Sequence, residues 1–218
     1  MTCKIPYEII GTGSTGNAVL LNHSILIDCG VPYKSIEPVA RKIGIVLLTH
    51  THGDHFNRST VRRLAAERPS LRFAGGEWML RDLVEAGVST RNIDILSCGT
   101  MYNYGVFSTI PVALNHDVPN CGYKIFFAGA KAFYATDTND LKGITARDYD
   151  LYLVEANYEE EEIHQRIKEK EIEGVYAYEV SVLRNHLSKQ KCDAWIYANA
   201  GADSTYIYMH QHQQRTGA

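Results

Sequence analysis

The sequence is poor in the features that mark several large classes of protein. Its five cysteines are an odd number, and no CxxC pair occurs among them. This pattern excludes a zinc ribbon and a disulfide framework, and it is typical of a reducing compartment, so we expect a cytoplasmic protein. No apolar run approaches the roughly 18 residues of a membrane span. The glycines from Gly11 to Gly16 interrupt the N-terminal region before a signal peptide could develop its apolar segment, so we expect neither a membrane anchor nor a leader.

An excess of positive charge is also missing. The chain has 22 lysines and arginines against 25 aspartates and glutamates, for a formal net charge of −3. Such a balance argues against a protein that coats nucleic acid by charge alone, although an enzyme can act on nucleic acid through a local basic strip. Internal repeats and low-complexity linkers are absent as well, and an apolar fraction of 45% is ordinary for a globular protein. We therefore expect one domain over residues 1–218.

The hydrophobic pattern predicts two groups of strands, each followed by helices. Ala18–Leu21 and Ser24–Asp28 are predicted to form a hairpin that turns at Asn22-His23, and Ile43–Thr49 a buried strand that opens into a loop. The other predicted strands are Arg72–Ala74, Ile93–Leu96, Val106–Leu114, Tyr123–Phe127, Ala132–Ala135, Leu151–Glu155 and Ala194–Ala198. The predicted helices are Ser59–Glu67, with Ser59 as its cap, Glu77–Ala86 and Glu159–Ile172. This order favours two packed sheets with helices on their outer faces.

The most informative segment directly follows the strand predicted at Ile43–Thr49. It is His50-Thr51-His52-Gly53-Asp54-His55, which places three imidazoles and a carboxylate within six positions. Alternate residues of an extended turn point the same way, so His50 and His52 can bind one metal ion, while Asp54 and His55 can reach a second ion beside it. Imidazole and carboxylate ligands suit Zn, Mn or Fe better than Mg or Ca. Chance is a poor explanation for the segment, because the whole chain has only nine histidines.

Two ions need further ligands, and three later segments offer them. His116 follows the strand predicted at Val106–Leu114. Asp137 follows the strand predicted at Ala132–Ala135 and is placed to bridge two ions, and His186 can complete the ligand set of the second ion. Taken singly, each of these residues is as easily explained as a loop residue hydrogen-bonded to the backbone. Together, and behind the histidine segment, they indicate a single centre.

This ordered set resembles the metallo-β-lactamase superfamily over nearly the whole chain. The HxHxDH signature of that family corresponds to residues 50–55, and the later single ligands match in order as His116, Asp137 and His186. The resemblance implies an α/β (α+β) fold, the αββα sandwich, with two divalent metal ions at one edge. It also implies the distribution of ligands: His50, His52 and His116 on one ion, Asp54, His55 and His186 on the other, and Asp137 bridging.

A nearer resemblance is to the YycJ/WalJ-like branch of the superfamily and its small prophage-encoded relatives. The matching pieces are Gly13-Ser14-Thr15-Gly16-Asn17, Ile27-Asp28-Cys29-Gly30, His116-Asp117, Thr136-Asp137-Thr138, Glu155-Ala156-Asn157 and His186-Leu187-Ser188. Branch members usually have Ser where Thr15 stands. The branch is associated with 5′–3′ exonuclease activity, so the resemblance implies a DNA phosphodiesterase in the cytoplasm of a bacterium or a phage-infected host cell.

The chemistry expected of such a centre is hydrolysis by a metal-bound hydroxide. A divalent ion lowers the pKa of bound water from about 15.7 towards about 7, and two ions can together clamp a phosphoryl or acyl oxygen. We expect Asp54 to orient the hydroxide or accept its proton. His186, if it is not a ligand, can donate to the oxyanion or the leaving group. Asp28 and Glu155, each at the end of a strand, are candidates for fixing the ligand imidazoles, with loop capping as the alternative.

Basic residues near the predicted centre give limited support for a substrate that carries phosphate. Phosphate-binding surfaces need such groups close to the metals. Several arginines crowd the segment after the histidine loop, and lysines follow His186. A solvated helix face explains these residues equally well. The candidate substrate contacts are Arg58, Arg62, Arg63 and Lys189.

Other activities of the superfamily differ in how well they suit this chain. Only 49 positions separate Asp137 from His186, too few for the inserted domain of a β-CASP nuclease, and a β-lactamase proper has Cys where Asp137 stands. A small-molecule hydrolase of thioester or lactone type, similar to glyoxalase II or a lactonase, stays open as the alternative. So does a non-enzymatic, metal-stabilised protein that partners a recombination protein. A homo-oligomer is compatible with the sequence, but no residue demonstrates an interface.

Overall fold

Two six-stranded β-sheets face each other at the centre of the computed structural model, which describes residues 4–211. The first sheet contains, in spatial order, β1 (Tyr7–Gly11), β2 (Ala18–Leu21), β3 (Ile25–Ile27), β4 (Ile45–Leu47), β5 (Arg72–Gly75) and β6 (Ile93–Ile95). The second contains β7 (Tyr102–Asn103), β8 (Ser108–Leu114), β9 (Asn120–Phe127), β10 (Ala130–Ala135), β11 (Leu151–Glu155) and β12 (Thr205–Met209). In each sheet the strands lie side by side in the order in which they occur in the sequence, so no connections need to cross.

Strand direction determines which loops share an edge of the sandwich. In the first sheet β3, β4, β5 and β6 are mutually parallel. In the second sheet β10, β11 and β12 are parallel, and β8 shares their direction because β8 and β10 both pair antiparallel with β9. The carboxyl ends of β8, β10, β11 and β12 therefore open onto one edge, which is where sites form in sheets of this kind.

Helices cover the outer face of each sheet. The first sheet is covered by α1 (Tyr33–Ile36), α2 (Arg58–Glu67) and α3 (Leu80–Glu85). Two helices, α4 (Glu160–Glu173) and α5 (Glu179–Asn185), follow β11, and α6 (Lys189–Asn199) packs on the second sheet. Among the described residues 4–211, no helix has both the length and the apolar composition needed to cross a bilayer.

Three apolar clusters hold these four layers together. Between the sheets, Leu21, Ile27 and Leu47 pack with Tyr123, Ile125 and Leu153. Outside the first sheet, Leu26, Val46 and Phe73 pack with Leu64 and Leu83, and outside the second, Phe133 and Tyr152 pack with Trp195 and Ile196. Neighbours such as Leu26 and Ile27 face opposite sides of one strand, so strands buried on both faces need unbroken apolar runs. The predicted αββα sandwich is confirmed.

Most predicted elements occur, with ends shifted by a few residues. The hairpin turn at Asn22-His23 is confirmed, because β2 and β3 pair antiparallel across it, both residues have positive φ, 46° and 59°, and Ser24 N donates to the Leu21 carbonyl at 3.2 Å. The strand prediction for Leu151–Glu155 matches β11 at both ends. The edge strands β1, β7 and β12 were not predicted. Edge strands are short or half-exposed, so their apolar pattern is weak.

Two local predictions are wrong. Ala194–Ala198 is not a strand but part of the second half of α6. The helix is capped by Ser188, whose hydroxyl accepts a hydrogen bond from Lys191 N. Tertiary packing overrides the β-favouring Trp and Ile there, because that face of the helix covers the second sheet. The cap of α2 is Asn57 rather than Ser59, since the Asn57 carboxamide oxygen accepts from Thr60 N at 3.1 Å.

Candidate metal centre

Three imidazoles form the first group of candidate ligands. His50 and His52 follow β4, and His116 follows β8, so one strand of each sheet contributes. Their ring centroids are 4.8 Å (His50–His52), 5.2 Å (His50–His116) and 5.0 Å (His52–His116) apart. One ring nitrogen from each lies within 4.8 Å of the others, which is close enough to hold a single ion. The structure thus brings together the three residues that the family resemblance assigns to one ion.

The second group contains a residue that the sequence did not single out. Asp54 and His55 lie beside His210, and ligand atoms of the three fall within 4.8 Å of one another. Asp54 Oδ2 is 3.7 Å from His55 Nε2 and 3.5 Å from His210 Nε2. His210 directly follows β12, so its position obeys the same rule as His50, His116 and Asp137. The missed signal was the alternating segment Thr205–Met209 with a histidine at its end.

Asp137 lies between the two groups. Its Oδ2 is 2.8 Å from His55 Nε2, and its Oδ1 is 3.2 Å from His210 Nδ1 and 4.0 Å from His116 Nε2. The residue follows β10 in the left-handed region, with φ 57°, and is buried. One carboxylate therefore faces ligands of both groups, as a bridging ligand must, and the bridging role stays a prediction.

Buried polar atoms test whether these residues suit a metal ion. Within residues 4–211, His50 Nε2 and Asp137 Oδ2 are buried and have no hydrogen-bond partner, although Oδ2 is only 2.8 Å from His55 Nε2. A buried polar atom without a partner costs about 1–3 kcal/mol, which a cation shared by these atoms would offset. Burial and then the neighbouring His55 lower the pKa of His50 to about 2, so its ring is neutral, the form that binds metals. The residues fit a divalent ion.

Asp28 fixes the orientation of His55. The carboxylate is fully buried after β3, and its Oδ2 lies 2.7 Å from His55 Nδ1. It also accepts hydrogen bonds from Thr49 N at 2.9 Å and from the Tyr134 hydroxyl at 3.2 Å. A proton on Nδ1 is therefore donated to Asp28, which leaves Nε2 free to face the centre. This is the ligand-orienting position that the sequence suggested for Asp28.

Glu155 contacts two histidines at once. Its Oε1 lies 2.7 Å from His186 Nδ1 and 3.1 Å from His210 Nδ1, and its Oε2 accepts from Thr138 N at 2.9 Å. The carboxylate is fully buried at the end of β11. By holding Nδ1 of both rings, Glu155 turns the Nε2 atom of each away from itself.

His186 is placed differently from the expectation based on family resemblance. It falls in a group with Asp137, Glu155 and His210, but in no group with Asp54 or His55. Burial opposes the charged form of His186, yet the hydrogen bond and charge of Glu155, with the charge of Asp137, raise its pKa above the ordinary value. Its part as a metal ligand stays a prediction. The alternative role, a proton donor beside the metals, stays a prediction as well.

Three of the four candidate substrate-binding residues, Arg58, Arg63 and Lys189, are paired with acidic groups, and Arg62 donates to a backbone carbonyl. Within the described part of the chain, none of their ion pairs or hydrogen bonds involves the histidine groups. Arg58 pairs with Asp82 and Glu85. The remaining pairs are Arg62 with the Glu85 carbonyl, Arg63 with Glu67 and Glu37, and Lys189 with Glu159 and Asp193. Contact of these four residues with a substrate stays a prediction. The ion pairs weaken it, because they already neutralise part of the positive charge that would bind phosphate.

Comparisons with known proteins agree with this architecture. No curated protein sequence matches the chain. Solved structures with the same fold include the metallo-β-lactamase fold protein YhfI from Bacillus subtilis, at 15% identity and a TM-score of 0.73, with 95% of this chain and 86% of that chain covered. Human tRNase Z, short form, matches at 16% identity and a TM-score of 0.68, with 95% and 93% covered. A diphosphatase from the PhnP family matches at 14% and 0.66, with 95% and 86% covered.

The family assignment comes from the sequence itself. The family model described as the beta-lactamase superfamily domain matches residues 23–179. That range contains the histidine loop, His116 and Asp137, and it stops short of His186 and His210. Because the match covers well over half of the chain, and the fold and the His/Asp centre agree with it, the chain belongs to the beta-lactamase superfamily.

Proposed function

We propose that the protein is a two-metal hydrolase of phosphodiesters whose substrate is DNA, which it degrades from an end in the 5′–3′ direction. The observation that carries the proposal is the convergence of five loops on one centre, with Asp137 between the two ligand groups. Two similarly folded proteins, a tRNase Z and a diphosphatase, are named for acting on phosphate-linked substrates, which supports this substrate class. The proposed direction and the YycJ/WalJ-like branch rest on the sequence resemblance alone.

The donor set favours Zn or Mn as the two ions. His50, His52 and His116 would hold the first ion, Asp54, His55 and His210 the second, and Asp137 would bridge them. Bound ions would supply Lewis acidity that makes water a nucleophile near neutral pH and stabilises negative charge on phosphoryl oxygens. Asp137 is a carboxylate where a β-lactamase proper has a thiolate, which favours phosphate chemistry over β-lactam hydrolysis.

The chain's own residues suit the remaining steps. Glu155 keeps the Nδ1 proton of His186 in a hydrogen bond, so Nε2 is the atom from which His186 gives a proton to the departing oxygen. His186 is about one-fifth exposed, so substrate can reach it. Asp54 is the more exposed carboxylate of the centre, and we propose that it orients the attacking water besides binding metal.

One observation favours a second candidate, a small-molecule hydrolase of thioester or lactone type. Arg58 and Arg63 on α2 are held by acidic partners, so this helix leaves less free positive charge for a nucleic-acid backbone than its number of arginines suggests. The same metal centre would polarise an acyl carbonyl as readily as a phosphoryl group.

A metal-by-substrate activity matrix separates these candidates. Purified protein loaded with Zn or Mn is incubated with 5′-labelled and 3′-labelled DNA, a bis-phosphodiester dye, a thioester and a lactone. We expect end-dependent degradation of DNA. The paired change Arg62→Glu with Arg63→Glu should lower DNA cleavage and reduce its salt dependence, whereas Arg81→Glu, on the exposed side of α3, should not. Intact DNA beside rapid thioester or lactone turnover would establish the second candidate instead.

Three further properties stay proposals. We propose a cytoplasmic location, because the cysteine pattern fits a reducing compartment. A homo-oligomer would help a small exonuclease to stay on its substrate, and light scattering of the purified protein measures its mass. A recombination-protein partner would be expected if metal binding stabilises the protein without any turnover, which the same activity matrix measures.

A further inference from the structure

The segment of residues 11–17, which is the last residue of β1 with the loop to β2, has no part in the proposed chemistry, yet it contacts the metal centre at two points. We call it the brace loop. It contains the glycine-rich motif noted in the sequence, with Gly13 at φ 94° and Gly16 at φ 140°, conformations that residues with a Cβ rarely adopt. A Cβ on Gly11 or Gly16 would also lie within 2.7 Å of a backbone carbonyl oxygen. The loop is therefore tightly folded.

Asn17, at one end of the brace loop, contacts the loop that carries Asp54 and His55. Its backbone N donates to the Asp54 carbonyl at 2.6 Å, and its side-chain Nδ2 lies 3.2 Å from that carbonyl and 3.4 Å from Asp54 Oδ2. Nδ2 is also 2.8 Å from His55 Nε2. When His55 Nε2 binds an ion, the carbonyl oxygen and Oδ2 of Asp54 remain as acceptors for Asn17 Nδ2. Asn17 is fully buried, and its Oδ1 accepts from Gly13 N at 2.9 Å, so the side chain has no freedom to turn away.

Thr12, near the other end of the brace loop, contacts the third residue of the same group. Its hydroxyl accepts a hydrogen bond from His210 N at 2.8 Å, across 198 positions of sequence. His210 has φ 50°, a conformation that a residue with a side chain adopts only when its surroundings hold it. The hydrogen bond from Thr12 is one of those restraints, and the Asn157 side chain, which donates to the His210 carbonyl at 2.8 Å, is another.

The two contacts join opposite halves of the sandwich. Asp54 and His55 follow β4 of the first sheet, whereas His210 follows β12 of the second. Asp137 contacts His55 and His210, and Asp54 Oδ2 lies 3.5 Å from His210 Nε2. The brace loop adds a further link between the segments that carry these residues, through Asn17 to Asp54 and through Thr12 to the His210 backbone. Its described contacts include no atom of His50, His52 or His116.

We propose that Thr12 and Asn17 are positioning residues that set the spacing of Asp54, His55 and His210, and that the brace loop thereby determines the affinity of the second ion without affecting the first. This inference rests on the two-ion centre proposed above, but not on the identity of the substrate. The reason is geometric: a ligand group drawn from two sheets binds tightly only if its members are held at the ion's coordination distances before the ion arrives.

The test measures metal binding rather than activity. Thr12→Val removes the hydroxyl while keeping the shape of the side chain, and it leaves His210 N without its acceptor. We expect the weaker of two stepwise zinc affinities, measured by competition with a chelator, to fall roughly tenfold, as loss of one buried hydrogen bond would cause. The tighter affinity should not change. Thr12→Ser, which keeps the hydroxyl, should restore wild-type binding, and Ser14→Ala, on the exposed tip of the brace loop, should leave both affinities unchanged.

A double-mutant comparison assigns the effect to the second ion. In a His210→Ala background, Thr12→Val should have no further effect on zinc binding, whereas in a His52→Ala background its effect should persist. Asn17→Ala should act like Thr12→Val, and the Thr12 series decides the question if Asn17→Ala fails to fold. Equal weakening of both ions, or none, by Thr12→Val would overturn the inference. A wild-type protein that binds fewer than two ions would instead overturn the two-ion centre itself.

Discussion

The strongest prediction concerns two histidines that the sequence and the structure rank differently. The family resemblance places His186 on the second ion, whereas the geometry places His210 with Asp54 and His55. We therefore expect His210→Ala to lose one of two bound ions. His186→Ala should keep both ions and lose turnover, because it removes a proton donor and not a ligand.

The size of each effect follows from the contacts. Loss of a positioned general acid costs about 10²- to 10⁴-fold in rate, which is about 2.7–5.5 kcal/mol of barrier. His186 has the environment of such an acid, since Glu155 holds its Nδ1 at 2.7 Å. Removing His210 leaves Asp54, His55 and the shared Asp137 for the second ion. Substitution of a ligand's supporting residue alone weakens binding by about 10- to 100-fold, so loss of the ligand should cost at least as much.

The assay combines metal analysis of the dialysed protein with kcat measured at saturating zinc. His164→Ala is the matched control, because His164 is exposed on α4 and its Nδ1 bonds the Glu160 carbonyl of the same helix. That variant should match the wild type in both measurements. The reasoning is refuted if His186→Ala loses an ion while His210→Ala retains two, and the ligand set implied by the family resemblance would then be right.

Two further predictions concern Asp28 and Gly30, which pack against the loop of residues 50–55. Gly30→Ala should lower the free energy of unfolding in urea by about 3 kcal/mol, because its Cβ would lie 1.7 Å from the Asp54 carbonyl oxygen. Gly53→Ala is the control in the same region: a Cβ there meets nothing within 4 Å, so its stability should be nearly that of the wild type. Asp28→Asn should cost about 1.5–3 kcal/mol of stability and weaken the second ion, because it loses the charged bond to His55; wild-type stability and zinc affinity in that variant would contradict the orienting role.

Much of the fold was predictable because it depends on local pattern. The strand at Leu151–Glu155 and the turn at Asn22-His23 come from unbroken apolar residues and from turn chemistry, both of which act between neighbours. The failure at Ala194–Ala198 has the opposite cause. There the local preference for strand is overridden by packing of α6 on the second sheet, which a reader of the sequence does not see.

The candidate metal centre, like the fold, was predictable from the sequence only in part. The sequence by itself determined that residues 50–55 can bind metal, because their spacing within one loop brings imidazoles and a carboxylate together whatever the rest of the chain does. Only the tertiary structure decided that His210 joins Asp54 and His55, that Glu155 holds His186, and that Arg58 and Arg63 of α2 are paired with acids. Those relations join segments as far apart in the chain as Asp54 and His210, and their distances depend on how two sheets pack and which strands end at the shared edge.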